Sequence, residues 1–434
     1  MTDTTTLAAA IDEHLAGNAE AAAQTYLRIL EDDPIHPEAL HYYGIYLYQA
    51  GRHAEAIESL ELAAALDPGQ GHWHNDRGNV LFAQGLWEAA AEAYQEAVSC
   101  LPDDAQCWTN LGSALRQMAH VGQARSAFLQ AVALQPDNLA ALQQLGAIYE
   151  QEGDNMQASH YQCRAYVLPP WEGKSRELLG ISFYFLNRLE EAAEVYRTWL
   201  SEEPDHPVAA HMLAACSQQE VPVRASDAYI ERHFDRYAET FEQNLLHSLD
   251  YRGAQMIATG LARIDPPVQP GRTIDLGCGT GLCAPVLAPY SAHLVGVDLS
   301  GKMLAKAAAS GHYDLLVKSE IGRYLASVPA SCELIAAADT LIYFGHLLPL
   351  LTSMHAALKE GGYLVFTIEV LASDEAAGQD FLLHPSGRYR HRPDAVARLL
   401  AQCGLALRHR SLHVLRKEIG ADVAGAVFLA QRTA

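Results

Sequence analysis

The residues best suited to chemistry lie in one short run, Asp275-Leu276-Gly277-Cys278-Gly279-Thr280-Gly281. It follows an apolar stretch that reads as a strand over about 272–276 and precedes a helix. Glycines at such a turn remove Cβ atoms, so a nucleotide-like ligand can lie against the backbone at the carboxyl end of a strand. About twenty residues on, Leu294-Val295-Gly296-Val297-Asp298 ends a second strand on a carboxylate. Two carboxylate oxygens can accept both hydroxyls of a ribose, a geometry no neutral side chain supplies as well. The dinucleotide pattern places its third glycine one residue later, where this chain has Leu282, and it does not call for an acid just ahead of the first glycine.

Such a pair of motifs needs an α/β scaffold. Strands are expected at about 272–276, 294–298, 314–318, 333–338, 363–369, 405–416 and 425–432, with helices between most of them. The last two, joined tightly around Gly420 to Gly425, predict an antiparallel hairpin at one edge of a mainly parallel seven-stranded sheet. The glycine turn with its preceding acid resembles motif one of class I S-adenosylmethionine-dependent methyltransferases, which have a Rossmann-like sheet. That resemblance implies S-adenosyl-L-methionine as cofactor, held by Tyr237, Arg252, Asp275, Gly277, Cys278, Gly279, Gly281, Asp298, Leu299, Met303, Glu320, Ile321 and Asp339. Within it, Asp275 lies near the methionine part, Glu320 accepts from the adenine amino group, and Ala338-Asp339-Thr340 forms a floor below the methyl donor. The helix Phe234 to Phe241 would close over the cofactor, although Phe234, Tyr237 and Phe241 also read as a plain hydrophobic stripe.

Methyl transfer is an in-line displacement, so alignment and exclusion of water dominate, and a base is needed only for a protonated acceptor. Candidate catalytic groups are Tyr343 and His346 after the fourth strand, and Tyr389 and His391 in a loop after the fifth. That loop, with His384, Arg388, Arg390 and Arg392, would suit an anionic acceptor group. His384, Arg388 and Tyr389 are the expected acceptor contacts, and His346 is the candidate base. The eight cysteines are scattered with no Cys-x-x-Cys pair, so no metal site is expected.

The other half of the chain is periodic. Prolines recur at Pro34, Pro68, Pro102, Pro136, Pro170 and Pro204, with a parallel series Ala22, Ala56, Ala90, Ala124, Ala158 and Ala192 and a third at Gly44, Gly78, Gly112, Gly146 and Gly180. A step of 34 residues is the tetratricopeptide period. Small residues let paired helices approach, residues such as Tyr94 and Phe128 fill the adjoining gap, and proline ends the second helix. The expected all-α superhelix has six repeats over about 3–204 and a capping helix, giving a repeat domain 1–220, a helical lid and linker 221–271 and a catalytic domain 272–434. Together with His233-Phe234-Asp235-Arg236-Tyr237-Ala238, Leu249-Asp250-Tyr251-Arg252 and Ser386-Gly387-Arg388-Tyr389, this resembles bacterial predicted methyltransferases with tetratricopeptide repeats. In repeat proteins the first helices line a groove, and Asn79 and Asn110 match positions that hold a peptide backbone. The residues of a carboxylate clamp are missing, since Asn75, Ala140 and Gln144 replace them.

The formal charge of −22 divides unevenly: residues 1–220 hold 31 acidic against 10 basic residues, and the remainder 21 against 20. An acidic half repels phosphate backbones, which excludes nucleic acid along it. With no membrane-length apolar run, no basic leader and scattered cysteines, a cytoplasmic protein is expected. Three functions fit: a methyltransferase acting on a protein or peptide recruited by the groove, a small-molecule methyltransferase with docking repeats, or a repeat scaffold without catalysis. The oligomeric state stays open.

Overall fold

The computed structural model describes residues 2–239, 250–264, 270–375, 378–418 and 420–433, with side chains from Thr6 onward. Phe241, Leu249 and the linker stretch 265–269 lie outside the described residues. Two compact units divide between Trp171 and Glu172.

The first unit is five antiparallel helix pairs: α1 and α2 (Thr2–Leu15, Ala19–Asp32), α3 and α4 (Pro37–Gln49, His53–Leu66), α5 and α6 (Gly71–Ala83, Trp87–Cys100), α7 and α8 (Ala105–Gln117, Val121–Leu134), and α9 and α10 (Leu139–Gln151, Asn155–Tyr166). The sequence period is a packing rule here. A Cβ on Gly112 would lie 2.7 Å from Cε1 of Phe128, and one on Gly78 would lie 2.5 Å from Cε1 of Tyr94. Each glycine thus admits a ring from the second helix of its own pair, while Ala22, Ala56, Ala90 and Ala124 are fully buried at the same crossings. Asp104 and Asn138 start first helices by accepting backbone N–H groups, and Asn138 also donates to Thr109 Oγ1 at 2.9 Å.

The second unit opens with α11 (Arg176–Phe185), α12 (Leu189–Glu202) and α13 (Pro207–Ser217). They follow the repeat period, but they belong to the same compact unit as the sheet, ahead of the expected boundary at 220. The reason is a set of contacts the period does not encode. His211 donates to the Gly387 carbonyl at 2.8 Å, and Gln218 donates to the Leu383 carbonyl at 2.7 Å. Next comes α14 (Asp227–Tyr237), then α15 (Gly253–Leu261), whose Met256, Ile257 and Leu261 pack on Leu334, Val365, Val427 and Leu429 of the sheet.

All seven expected strands form: β1 (Gly271–Leu276), β2 (Ser291–Asp298), β3 (Leu315–Lys318), β4 (Cys332–Ala337), β5 (Leu358–Val370), β8 (Leu405–Glu418) and β9 (Ala421–Arg432). Parallel strands run in the order β3-β2-β1-β4-β5, and β9 continues from β5 antiparallel, with β8 at the edge as expected. The stretch expected as a basic loop is instead a short hairpin, β6 (Phe381–Leu383) and β7 (Tyr389–His391), with β7 parallel to the end of β5. Gly387, at φ +81, makes the turn, and the His384 N–H closes it on the Arg388 carbonyl at 2.8 Å.

Glycine-to-alanine changes within one helix pair should therefore have opposite signs. Gly122 in α8 has nothing within 4 Å of an added Cβ, so Gly122→Ala should stabilise by up to ~1 kcal/mol through helix propensity. Gly112→Ala should destabilise by about 1–3 kcal/mol through overpacking on Phe128. Urea unfolding of both full-length variants decides it, and a stabilised Gly112→Ala would refute the packing account.

Candidate active site

The first three β-strands and β4 end around a cavity of about 310 Å³. The glycine turn is its floor at one side. The N–H groups of Gly277 and Cys278 donate to the Val297 carbonyl, which ties the turn to β2. Gly277 has φ +67, and a Cβ there would lie 2.4 Å from Thr340 Oγ1, so only glycine lets Thr340 donate to the Leu276 carbonyl at 2.9 Å. Thr280 Oγ1 also lines the cavity, buried and with no protein partner.

Four carboxylates face this space. Asp298 accepts from Gly279 N–H at 2.9 Å and Ser300 N–H at 2.8 Å, which fixes its plane and leaves further lone pairs for a ligand. Burial pushes its pKa up, against those backbone N–H groups. Asp275 is buried and accepts from the Tyr313 hydroxyl at 2.7 Å. Burial, with the charge of Asp298, pushes its pKa up to about 7. Glu320 caps the helix Ile321–Ala326, accepting from Gly322 and Arg323 N–H groups through its two oxygens. Asp339 has φ +53 and pairs with Arg416 at 3.1 Å.

The lid helix α14 supplies Ile230, His233, Phe234 and Tyr237 to the wall. It is clamped by Glu231 to Lys318 and by Asp235 to the Ser300 hydroxyl. Burial pushes His233 down to about 4, so its ring is neutral at physiological pH.

Of the residues expected at the cofactor, Tyr237, Asp275, Gly277, Cys278, Gly279, Asp298, Leu299, Glu320, Ile321 and Asp339 line the cavity. Gly281 and Met303 stand behind it, Gly281 against Tyr313 and Met303 fully buried. Arg252 does not reach it; it is exposed and paired with Asp250, and its neighbour Tyr251 lines the cavity instead. Among the expected catalytic and acceptor groups, Tyr343 and Arg388 are in the wall. Tyr343 stays protonated, because burial pushes its pKa far up. His346 is exposed, edge-on to Phe381. His391 is buried and donates from Nε2 to the Phe344 carbonyl at 2.8 Å, with burial pushing its pKa down to about 4. Tyr389 spends its hydroxyl on the Pro222 carbonyl at 2.6 Å, and His384 contacts Ser386 at 2.9 Å. Tyr389 and His391 are therefore hairpin packing, two residues apart on the buried face of β7, and His384 is held in the turn.

Nor is the basic stretch free to bind an anion. Arg388 donates to Glu369 at 2.9 Å and to Glu418, Arg390 pairs with Glu375 at 2.7 Å, and Arg392 donates to the carbonyls of Ala372, Glu375 and Gln379. Arg416, Glu369, Tyr251 and His233 were not singled out in the sequence. His233 and Tyr251 stood inside motifs that carried the family likeness; Arg416 carried no signal, since a basic residue on an edge strand reads as solvent-facing.

A methyltransferase-domain family model matches residues 249–410, and tetratricopeptide-repeat models match 7–71, 78–118 and 105–138. The chain thus carries N-terminal tetratricopeptide repeats and a C-terminal methyltransferase domain, and that domain implies S-adenosylmethionine as its cofactor. Over 156 residues it is 30% identical to the ubiquinone biosynthesis O-methyltransferase of Xylella fastidiosa (strain 9a5c), covering 32% of this chain and 63% of that enzyme. Over 99 residues it is 28% identical to small glutamine-rich tetratricopeptide repeat-containing protein 2 of Mycosarcoma maydis, covering 23% of this chain and 28% of that protein. The chain therefore spans less than two thirds of either curated relative. A solved S-adenosylmethionine-dependent methyltransferase from Mesorhizobium loti is similar at 21% identity and TM-score 0.33, covering 39% of this chain and 94% of that one. No described helix is long and apolar enough to cross a membrane.

The residues fit such a cofactor. Gly277 and Gly279 bring backbone without side chains to the cavity, Asp298 offers an oriented carboxylate, and Thr280 brings an orphaned hydroxyl. Asp275 also makes stability depend on pH. Between about pH 4 and pH 7 the folded chain keeps a proton on Asp275 that the unfolded chain has released, so its contribution falls as pH rises across that window. Asp275→Asn removes the term, and its melting temperature should fall less than that of the native protein between about pH 4.5 and about pH 7.5. Parallel declines would show that Asp275 titrates as an ordinary carboxylate.

Proposed function

We propose that this protein is a cytoplasmic S-adenosylmethionine-dependent methyltransferase, of the methyl-transfer class EC 2.1.1, whose acceptor is a protein or peptide held by the first helices of the repeats. The observation that carries this reading is a row of side-chain amides across two neighbouring first helices. Asn110 on α7 donates to Asn75 at 2.8 Å and to Asn79 at 3.3 Å on α5, and Tyr94 donates to Asn79 at 3.0 Å. Amides offer donors and acceptors without charge, which suits an extended backbone, and the acidity of this half favours a basic partner. All eight cysteines are free thiols, in keeping with a reducing compartment.

Bound S-adenosylmethionine supplies an electrophilic methyl group on a sulfonium sulfur. The chain's own residues supply position and dryness: the glycine turn and Asp298 hold the nucleoside, and Phe234, Tyr237 and Tyr343 wall off water. The second reading, a small-molecule O-methyltransferase with docking repeats, is supported by the likeness to the ubiquinone biosynthesis O-methyltransferase.

Methyl-labelled S-adenosylmethionine incubated with the full-length protein and a cell extract separates the two. Label should enter protein, and Asn79→Ala with Asn110→Ala should raise KM for that acceptor by about 10-fold, from the loss of two hydrogen-bonding groups, with cofactor Kd unchanged. Label confined to small molecules, with the double variant silent, would overturn the peptide reading in favour of the second.

A further inference from the structure

The charged groups at the Asp339 end of the cavity are arranged so that one polar function remains on offer. Three guanidiniums line the cavity, those of Arg224, Arg388 and Arg416, and each is committed. Arg224 donates to Asp227 at 2.7 Å, Arg388 to Glu369 and Glu418, and Arg416 to Asp339 and Glu369. Arg416 is 3% exposed and Glu369 fully buried, so the Arg388 and Arg416 pairs cannot part to receive an anion without leaving a buried charge, whereas Arg224 is held by a partly exposed pair one turn along its own chain. Asp339 is held differently. Arg416 Nη1 alone spans its two oxygens, at 3.2 and 3.1 Å, its own N–H is fixed to Thr367 Oγ1 at 2.8 Å, and its backbone sits at φ +53. A carboxylate so constrained keeps lone pairs directed into the cavity it lines.

We infer that the methyl acceptor is a hydrogen-bond donor, a hydroxyl or an amine and not a carboxylate, that Asp339 is the catalytic residue receiving its proton, and that Arg416 is the residue that positions Asp339. This rests on the methyl-transfer reading above. The acceptor's O–H or N–H proton passes to an Asp339 oxygen, and the electron pair it leaves on that atom forms the bond to the methyl carbon. The carbon–sulfur bond breaks with its electron pair retained by sulfur, so the products are the methyl ether or methylamine and the demethylated thioether. No oxidant or metal is required. Asp339 is faced by Arg416 and Arg388, by Glu369, and by the neutral groups Tyr251, Tyr343 and Cys283. Burial, helped by the charge of Glu369, raises its pKa, and the two arginines oppose that rise.

The chemistry of the label decides the matter even while the acceptor is unidentified. Methyl esters of carboxylates release methanol in alkali, whereas methyl ethers and methylamines survive it. The extract labelled by the full-length protein should carry base-stable label. Asp339→Asn, which keeps the shape, should lower kcat by about 100-fold or more, with the Kd for S-adenosylmethionine by calorimetry and the melting temperature both little changed. Arg416→Gln should move the acid limb of the kcat–pH profile upward by about 1 unit, because an opposing charge is lost, and Arg416→Lys should move it back. Base-labile label overturns the inference, as does an Asp339→Asn variant that keeps its kcat. Should Arg416→Gln fail to fold, Asp339→Asn decides alone. No label at all, from protein that binds the cofactor, would instead sink the methyl-transfer reading itself.

Discussion

Glu369 ends β5 with its carboxylate entirely out of water, and the architecture around the cavity follows from the need to compensate it. An unpaired buried carboxylate costs several kcal/mol, so two guanidiniums must reach it. Burial alone would raise its pKa, yet Arg416 and Arg388 outweigh that and hold it down to about 2. Arg388 comes from the turn of the β6–β7 hairpin, which therefore has to lie along the end of β5. Arg416 comes from β8, whose register slips between Val414 and Arg416. Bulges of this kind turn a side chain from the solvent face to the buried one. Through the same guanidinium the cluster takes hold of Asp339, so the end of β4, the end of β5, the hairpin and the edge strand share one electrostatic anchor.

The parts of this fold that were legible in the sequence are those fixed by local rules. The step of 34 residues reports helix crossings, and Gly112 against Phe128 shows why neither position can drift alone. The parallel strands β1, β2, β4 and β5 were legible because buried parallel strands read as apolar runs, and Asp275, Gly277, Gly279 and Asp298 because a turn and a strand end place them whatever happens elsewhere. What failed depended on long-range partners. His391 and Tyr389 carry chemistry-bearing groups, but the Phe344 and Pro222 carbonyls consume them. The arginines of the hairpin looked like an anion site because their neutralising acids Glu369, Glu375 and Glu418 lie up to thirty residues away in sequence. Arg252 and Tyr251 exchanged places for a simpler reason: one residue of offset at the start of a helix decides which faces inward.

Two readings of the lid helix were set against each other in the sequence, a cover for the cofactor and an apolar packing stripe. The described residues show the packing stripe, with two of its rings on the cavity. Phe234 and Tyr237 line the cavity, and Phe234 also stands edge-on to Tyr343 at 5.6 Å, so the wall is itself a packed interface. The opposite side of the helix is equally engaged. Tyr229 lies 4.0 Å from the His211 ring on α13, and Arg236 reaches Glu177 on α11. One helix is thus pinned between the last repeat-like helices of its unit and the cavity. Because rings in a dense interior cannot move singly, any displacement of α14 to admit or release a ligand must be met by α11 and α13 as well. Helices that continue the 34-residue pattern back the helix that walls the cavity, in keeping with a compact unit that begins at Glu172.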